Sequence, residues 1–253
     1  MNRIYTLILA SFCIALIAAP LGAQDSALLL REGDLLWAER ADADKAQASI
    51  DAYMKVLAVD PDHYEACWKI ARAYSFLGDM LPETKVMRDR HKERGVEGMQ
   101  YAKKALELNP QGIEGHYYYT LSLAQYSIGI SIIKALAKGL GPDYEEHIGK
   151  ALEIDKMYDF AGPLRAVGRY WYKLPWPKRN IKKSIGYLEE AVASAPTNIR
   201  GHVYLAESYL KDKEKKLAKE QLQKAFEIVP NLKIEVDAKR WKRKAKELLK
   251  EKF

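Results

Sequence analysis

One mark constrains this chain more than any other. A small or apolar residue is followed five places later by proline, and the mark recurs: Val56 and Pro61, Ala105 and Pro110, Ala191 and Pro196, Ala225 and Pro230. Proline has no N–H to give and its ring clashes with the preceding turn, so each mark reads as the end of a helix. Ala151 holds the same place in another unit, with Lys156 where the proline would stand. Successive marks are 49, 46, 40 and 34 residues apart. The helices that open the units also match. Residues 64–78 read YEACWKIARAYSFLG and residues 199–209 read IRGHVYLAESY, which aligns Ile70-Ala71 with Leu205-Ala206 and Tyr74 with Tyr209.

These residues resemble the tetratricopeptide repeat (TPR), a 34-residue helix-turn-helix unit. Removing one unit from each interval leaves insertions of 15, 12, 6 and 0 residues, so only the last unit is regular. Small residues such as Ala71, Ala105, Ala206 and Ala225 let paired helices approach, while Trp68, Tyr74, Tyr118, Tyr204 and Tyr209 fill the gaps between pairs. One pair cannot bury its apolar face alone, so pairs must stack. No apolar alternation with hairpin turns is present, and strands are not expected. The predicted fold is all-α: a TPR-like right-handed helical solenoid of about five helix pairs plus a C-terminal capping helix. The pairs span about 25–60, 62–109, 112–155, 159–195 and 198–229, with the cap over 237–253. In pair four, Gly168 takes the small position and Trp171 the aromatic one. Pro175 and Pro177 stop that helix, and Asn180 caps the next.

The first residues stand apart. Arg3 precedes the apolar run IYTLILASFCIALIAA, and LGA at 21–23 precedes Gln24-Asp25. That order of charge, short apolar core and small residue predicts a secretory signal peptide over 1–23, with a single TPR-like domain over 24–253 and a periplasmic location. An uncleaved membrane anchor is the alternative. Cys13 lies inside the apolar core, so a lipid-modified cysteine is not expected. Without the leader, Cys67 is the one cysteine, which leaves no internal disulfide and predicts a thiol filling a helix interface. The net charge of +7 is uneven: Lys211 to Phe253 holds 15 Lys and Arg against 8 Asp and Glu. A basic tail on a balanced body does not predict a nucleic-acid partner.

A narrower resemblance lies in ARAYSFLGD (71–79), RGVEGMQYAKKALELNP (94–110), EGHYYYTLSLAQY (114–126), AGPLRAVGRYWYKLPWP (161–177) and HVYLAESYL (202–210). With these segments the chain resembles the TPR proteins associated with TRAP transporters, the T-component-like family. A related pattern occurs in the eukaryotic regulator of microtubule dynamics family, against which the apolar leader weighs. The T-component resemblance implies a periplasmic partner of a solute-binding protein, with an apolar or carboxylate small ligand.

In a TPR stack the first helix of each pair lines the concave side. That places Trp68, Arg72 and Phe76, then Tyr117 and Gln125, then Arg165, Arg169, Tyr172 and Lys173 on the inner wall, with Trp176 at a rim. Arginine forks suit carboxylates and aromatics suit apolar stems. Arg165, Arg169 and Lys173, at i, i+4 and i+8, form the preferred anion contact; the ordinary alternative is a solvated or packed face. The insertion 126–144 carries Ile128, Ile132, Leu136 and Leu140 four apart. It reads as a helix closing an apolar channel, a helix on a membrane surface, or one packed on the solenoid. Pro142-Asp143 with Glu146 reads as a capping box. The basic terminus reads as an anionic-lipid contact or as the polar face of a cap. His63, His91, His116, His147 and His202 show no paired metal spacing, and His116 and His202 share a repeat position that suggests packing. No nucleophile elbow or phosphate loop appears, so neither catalysis, cofactor nor metal is expected. The competing function is a general scaffold gripping a peptide or protein in the groove. Nothing in the sequence fixes the oligomeric state, and a homo-oligomer stays open.

Overall fold

The structure is a computed structural model that describes residues 21–231 and 235–253. Most of the expected signal peptide therefore lies outside the described residues. Twelve α-helices, one short 3-10 helix (Lys85–Met87) and no strand occur among those described. The α-helices are α1 (Leu21–Ala38), α2 (Ala43–Val59), α3 (Tyr64–Met80), α4 (Arg88–Leu108), α5 (Ile113–Ile130), α6 (Ile132–Ala137), α7 (Leu140–Asp155), α8 (Tyr158–Lys173), α9 (Ile181–Ser194), α10 (Ile199–Lys211), α11 (Lys215–Glu227) and α12 (Ala238–Lys252). The pairs are α1/α2, α3/α4, α5/α7, α8/α9 and α10/α11, with α12 on the last pair. The chain is a TPR-like helical solenoid.

The recurring mark has a direct local cause. The last N–H of α2, at Asp60, donates to Val56 O at 2.8 Å, and Asn109 N–H donates to Ala105 O at 2.8 Å. Ala195 N–H donates to Ala191 O at 2.9 Å. The proline comes next, where no further donor exists. Val56, Ala105, Ala151 and Ala225 are fully buried, because the mark also sits where two helices meet. His116 and His202 brace the same corner: their Nε2–H groups donate to Pro110 O (3.0 Å) and Pro196 O (2.9 Å). Cys67 is buried, and burial pushes its thiol up to about 11, as expected of a packing residue.

Helices α4 and α5 approach each other closely. A Cβ on Gly95 would lie 2.3 Å from Tyr126 N, and one on Gly129 would lie 2.5 Å from Lys92 N. Glycine is required because backbone, not a movable side chain, occupies the space. Gly168 lets α8 meet Leu188 of α9 in the same way, and Asn180 Oδ1 caps α9 by accepting from Lys183 N at 3.0 Å.

Two local expectations fail. Residues 140–146 do not form a capping box. Helix α7 begins at Leu140 behind Gly139, whose φ of +78° suits glycine, and Asp143 instead accepts from Tyr119 Oη at 2.6 Å. The start of α8 is not a regular helix either. Asp159, Phe160 and Ala161 all have positive φ, 49° to 59°, a left-handed turn of three residues with side chains. Such a turn is costly and needs surrounding contacts to hold it. Tyr117 Oη donates to Asp159 Oδ2 at 2.8 Å, and Arg165 Nη2 donates to Asp159 O at 2.7 Å.

Candidate functional site

The stack curls until distant units touch. Asp79, at the end of α3, accepts from Arg200 Nη2 of α10 at 2.9 Å and from Arg240 Nη2 of α12 at 2.7 Å. Arg240 Nη1 donates to Asp79 O at 2.5 Å. Asp237 completes the clasp, accepting from both arginines and from Trp241 Nε1 at 2.6 Å. Two carboxylates and two guanidiniums share this cluster. Burial alone would raise the Asp237 carboxyl, but Arg200 and its hydrogen bonds hold it well below the usual carboxylate range. A second tie, Lys173 Nζ to Glu83 Oε2 at 2.5 Å, joins the end of α8 to the loop after α3.

Inside this ring lies a partly enclosed cavity of about 310 Å³. Its walls come from α1, α3, α5, α8 and α10, and α6 and α7 close one side. Ile128, Ile132, Leu136 and Leu140 all line it. The stripe therefore faces the cavity. With Leu121, Ala124 and Tyr144 they make an apolar end.

Elsewhere the lining is charged, with Arg40, Arg72 and Arg165 beside the carboxylates of Asp159, Glu235 and Asp237. The Arg72 guanidinium lies near two indoles, 4.2 Å from the Trp37 ring centre and 5.0 Å from that of Trp68. It forms no ion pair among the described residues; one long hydrogen bond of 3.4 Å reaches Tyr53 Oη. Its Nε and that of Arg165 are buried without a hydrogen-bond partner. Arg40 lines the same region, where burial first and then the charge of Arg72 hold its guanidinium below the ordinary value. Orphaned buried donors of this kind are uncommon and call for a partner.

Of the residues chosen from sequence, Arg72, Phe76, Tyr117, Gln125, Arg165, Arg169 and Lys173 line the cavity. Three do not. Trp68 stacks on Tyr118 behind the wall, Tyr172 lies under Arg169, and Trp176 is 86% exposed on the loop after α8. The expected anion triad needs correction too. Arg165, Arg169 and Lys173 share a face, but each already has a carboxylate: Asp159 at 3.5 Å, Glu207 at 2.6 Å and Glu83 at 2.5 Å. Gln125 is also committed. His91 Nε2–H faces Pro82 O, so its Nδ1 accepts, and the Gln125 amide nitrogen donates to it at 2.8 Å. Arg40, Trp37, Asp79 and Asp237 escaped sequence reasoning. They lie at helix ends and in connections, outside the concave positions of the repeat. No group of three metal-ligating side chains able to hold an ion occurs among the described residues.

The comparisons with known proteins agree with this architecture. The family model described as regulator of microtubule dynamics protein 1-3 matches residues 29–252. The chain belongs to that family. The sequence reading favours the T-component-like family over this one, and an association with TRAP transporters is not shown. Human regulator of microtubule dynamics protein 1 is 27% identical over 173 residues, covering 62% of this chain and 54% of that protein. Protein 3 of the same series from Xenopus laevis is 31% identical over 134 residues, covering 53% of this chain and 26% of that protein. The chain thus spans about half, or less, of the length of these curated relatives. Among solved structures, a thermophilic TPR protein of Thermus thermophilus superposes with a TM-score of 0.64 at 19% identity, covering 88% of this chain and 99% of that one. The MamA protein superposes with a TM-score of 0.50 at 17% identity, covering 91% and 97%. At these identities the likeness concerns the fold alone.

Proposed function

We propose that this family member is a binding protein that holds an organic anion with an apolar tail inside its curled stack. One observation carries the reading: a single cavity with an aliphatic end from α5, α6 and α7 and a charged region where Arg72 has no carboxylate and two guanidinium Nε–H groups lack acceptors. A carboxylate or phosphate would satisfy those donors, and about 310 Å³ suits a small amphiphile. The clasp narrows the groove, which favours a small ligand over a peptide. The resemblance of several segments to the T-component-like family suggests an exported protein that passes its ligand to a solute-binding protein; co-purification from a periplasmic extract tests that partner. Native mass spectrometry of the purified chain tests the ligand. A retained mass of a few hundred daltons, lost in Arg72→Met, supports the reading; an empty chain that also fails to bind added decanoate refutes it.

A second reading draws on the name of the relatives. Regulation of microtubule dynamics requires contact with other proteins, and the excess of cations from Lys211 to Phe253 suits an acidic partner. Co-sedimentation with polymerised tubulin, weakened by charge reversal on α12, tests it.

A further inference from the structure

We infer that one margin of the cavity is a docking surface for an anionic lipid bilayer. This goes beyond the cavity reading and does not depend on what the cavity holds. Three exposed apolar side chains stand on three separate segments: Val86 is 83% exposed, Ile133 69% and Trp176 86%. Exposed apolar residues are common singly. These three differ in where they stand. Each is within three residues of a residue that lines the same cavity, namely Glu83, Ile132 and Lys173. The segments also meet. Lys173 Nζ is 2.5 Å from Glu83, and the backbone of Gly129 abuts that of Lys92, which brings the start of α6 beside the start of α4.

Charge selects the occupant. Segments 83–88, 131–138 and 173–179 contain Lys85, Arg88, Lys134, Lys138, Lys173, Lys178 and Arg179, with Glu83 as the one acid, already paired with Lys173. An exposed indole among cations is suited to the headgroup region, where the ring enters the interface and the charges meet anionic lipid. A protein partner would more often ask for a contiguous apolar patch than for three tips separated by lysines and arginines. No helix among the described residues is long and apolar enough to cross a membrane.

The test uses the full chain with vesicles of phosphatidylcholine carrying brominated acyl chains, with or without phosphatidylserine. The difference in emission between the unmodified chain and Trp176→Phe reports Trp176 alone. Docking predicts that the Trp176 signal is quenched by vesicles containing phosphatidylserine and much less by neutral ones. Each cation near an anionic surface changes affinity about fivefold, so Lys134→Gln with Lys178→Gln should raise the lipid concentration at half-quenching about thirtyfold. Lys239→Gln with Lys242→Gln on α12 should leave it unchanged. Lys134, Lys178 and Lys239 are exposed and Lys242 is half-buried, with its ammonium on Phe226 O; circular dichroism should show folded variants. Unquenched Trp176 overturns the proposal. So does quenching that the α12 variant weakens and the margin variant does not, even if the leader tethers the chain to every vesicle.

Discussion

Replacing Arg72 by methionine separates binding from stability. Methionine keeps the length of the side chain beside Trp37 and Trp68 and removes the charge. The folded state loses two cation–π contacts, each about 0.5–2 kcal/mol, but also sheds a half-buried charge with no carboxylate and gains sulfur–aromatic contact of about 0.3–1.5 kcal/mol. These terms nearly cancel, so stability should change by less than about 1 kcal/mol. A bound carboxylate would lose a charge-assisted hydrogen bond of about 1.5–3 kcal/mol, which is roughly 10- to 150-fold in affinity. Arg169→Met should behave in the opposite way. It strands Glu207, whose side chain is 13% exposed and whose next cation, Lys244, is 4.0 Å away. The loss of about 2–3 kcal/mol should lower Tm by roughly 4–12 °C. Calorimetric titration with decanoate beside thermal unfolding reads both effects. If Arg72→Met unfolds as early as Arg169→Met while decanoate binding is unchanged, the assignment of Arg72 to a ligand is wrong.

Further outcomes follow from the packing. Gly95→Ala puts a methyl where Tyr126 N lies 2.3 Å away, so α4 must retreat from α5 by about an ångström. Despite a gain in helix propensity of about 1 kcal/mol, the variant should be destabilised by about 1–3 kcal/mol in urea; equal or greater stability would contradict the close approach. His147 gives a pH dependence. Burial first, and His116 second, lower its pKa, so below an ordinary imidazole value near 6.5 the unfolded chain binds more protons than the folded one. Stability should therefore fall as pH drops through about 6.5 toward the lowered folded value. His147→Gln should flatten that part of the pH profile; a stability that instead rises on acidification refutes the sign.

What sequence revealed depended on the range of the interaction. The helix ends at Val56, Ala105 and Ala191 were legible because a carbonyl, a donor four residues on and a proline settle them locally. Asn180 was legible as a cap for the same reason. The Ile128–Leu140 stripe was visible as a stripe, but only the curl of the stack decided that it faces a cavity. Arg165, Arg169 and Lys173 were correctly placed on one inner face. The partners of Arg169 and Lys173 lie 38 and 90 residues away, at Glu207 and Glu83, beyond any repeat spacing. Arg72 differed from them only in lacking such a partner. Asp143 misled because its neighbours look like a cap, whereas Gly139 had already begun the helix.

A double-mutant cycle between Asp79 and Arg240 tests the closed ring most directly. In an open solenoid each unit touches only its neighbours, and two residues 161 positions apart act independently. The closed ring predicts that Asp79→Ala and Arg240→Ala together cost less than the sum of the single changes, with a coupling of about 1–3 kcal/mol. Strict additivity would show that the ends do not meet and that the cavity is an open groove.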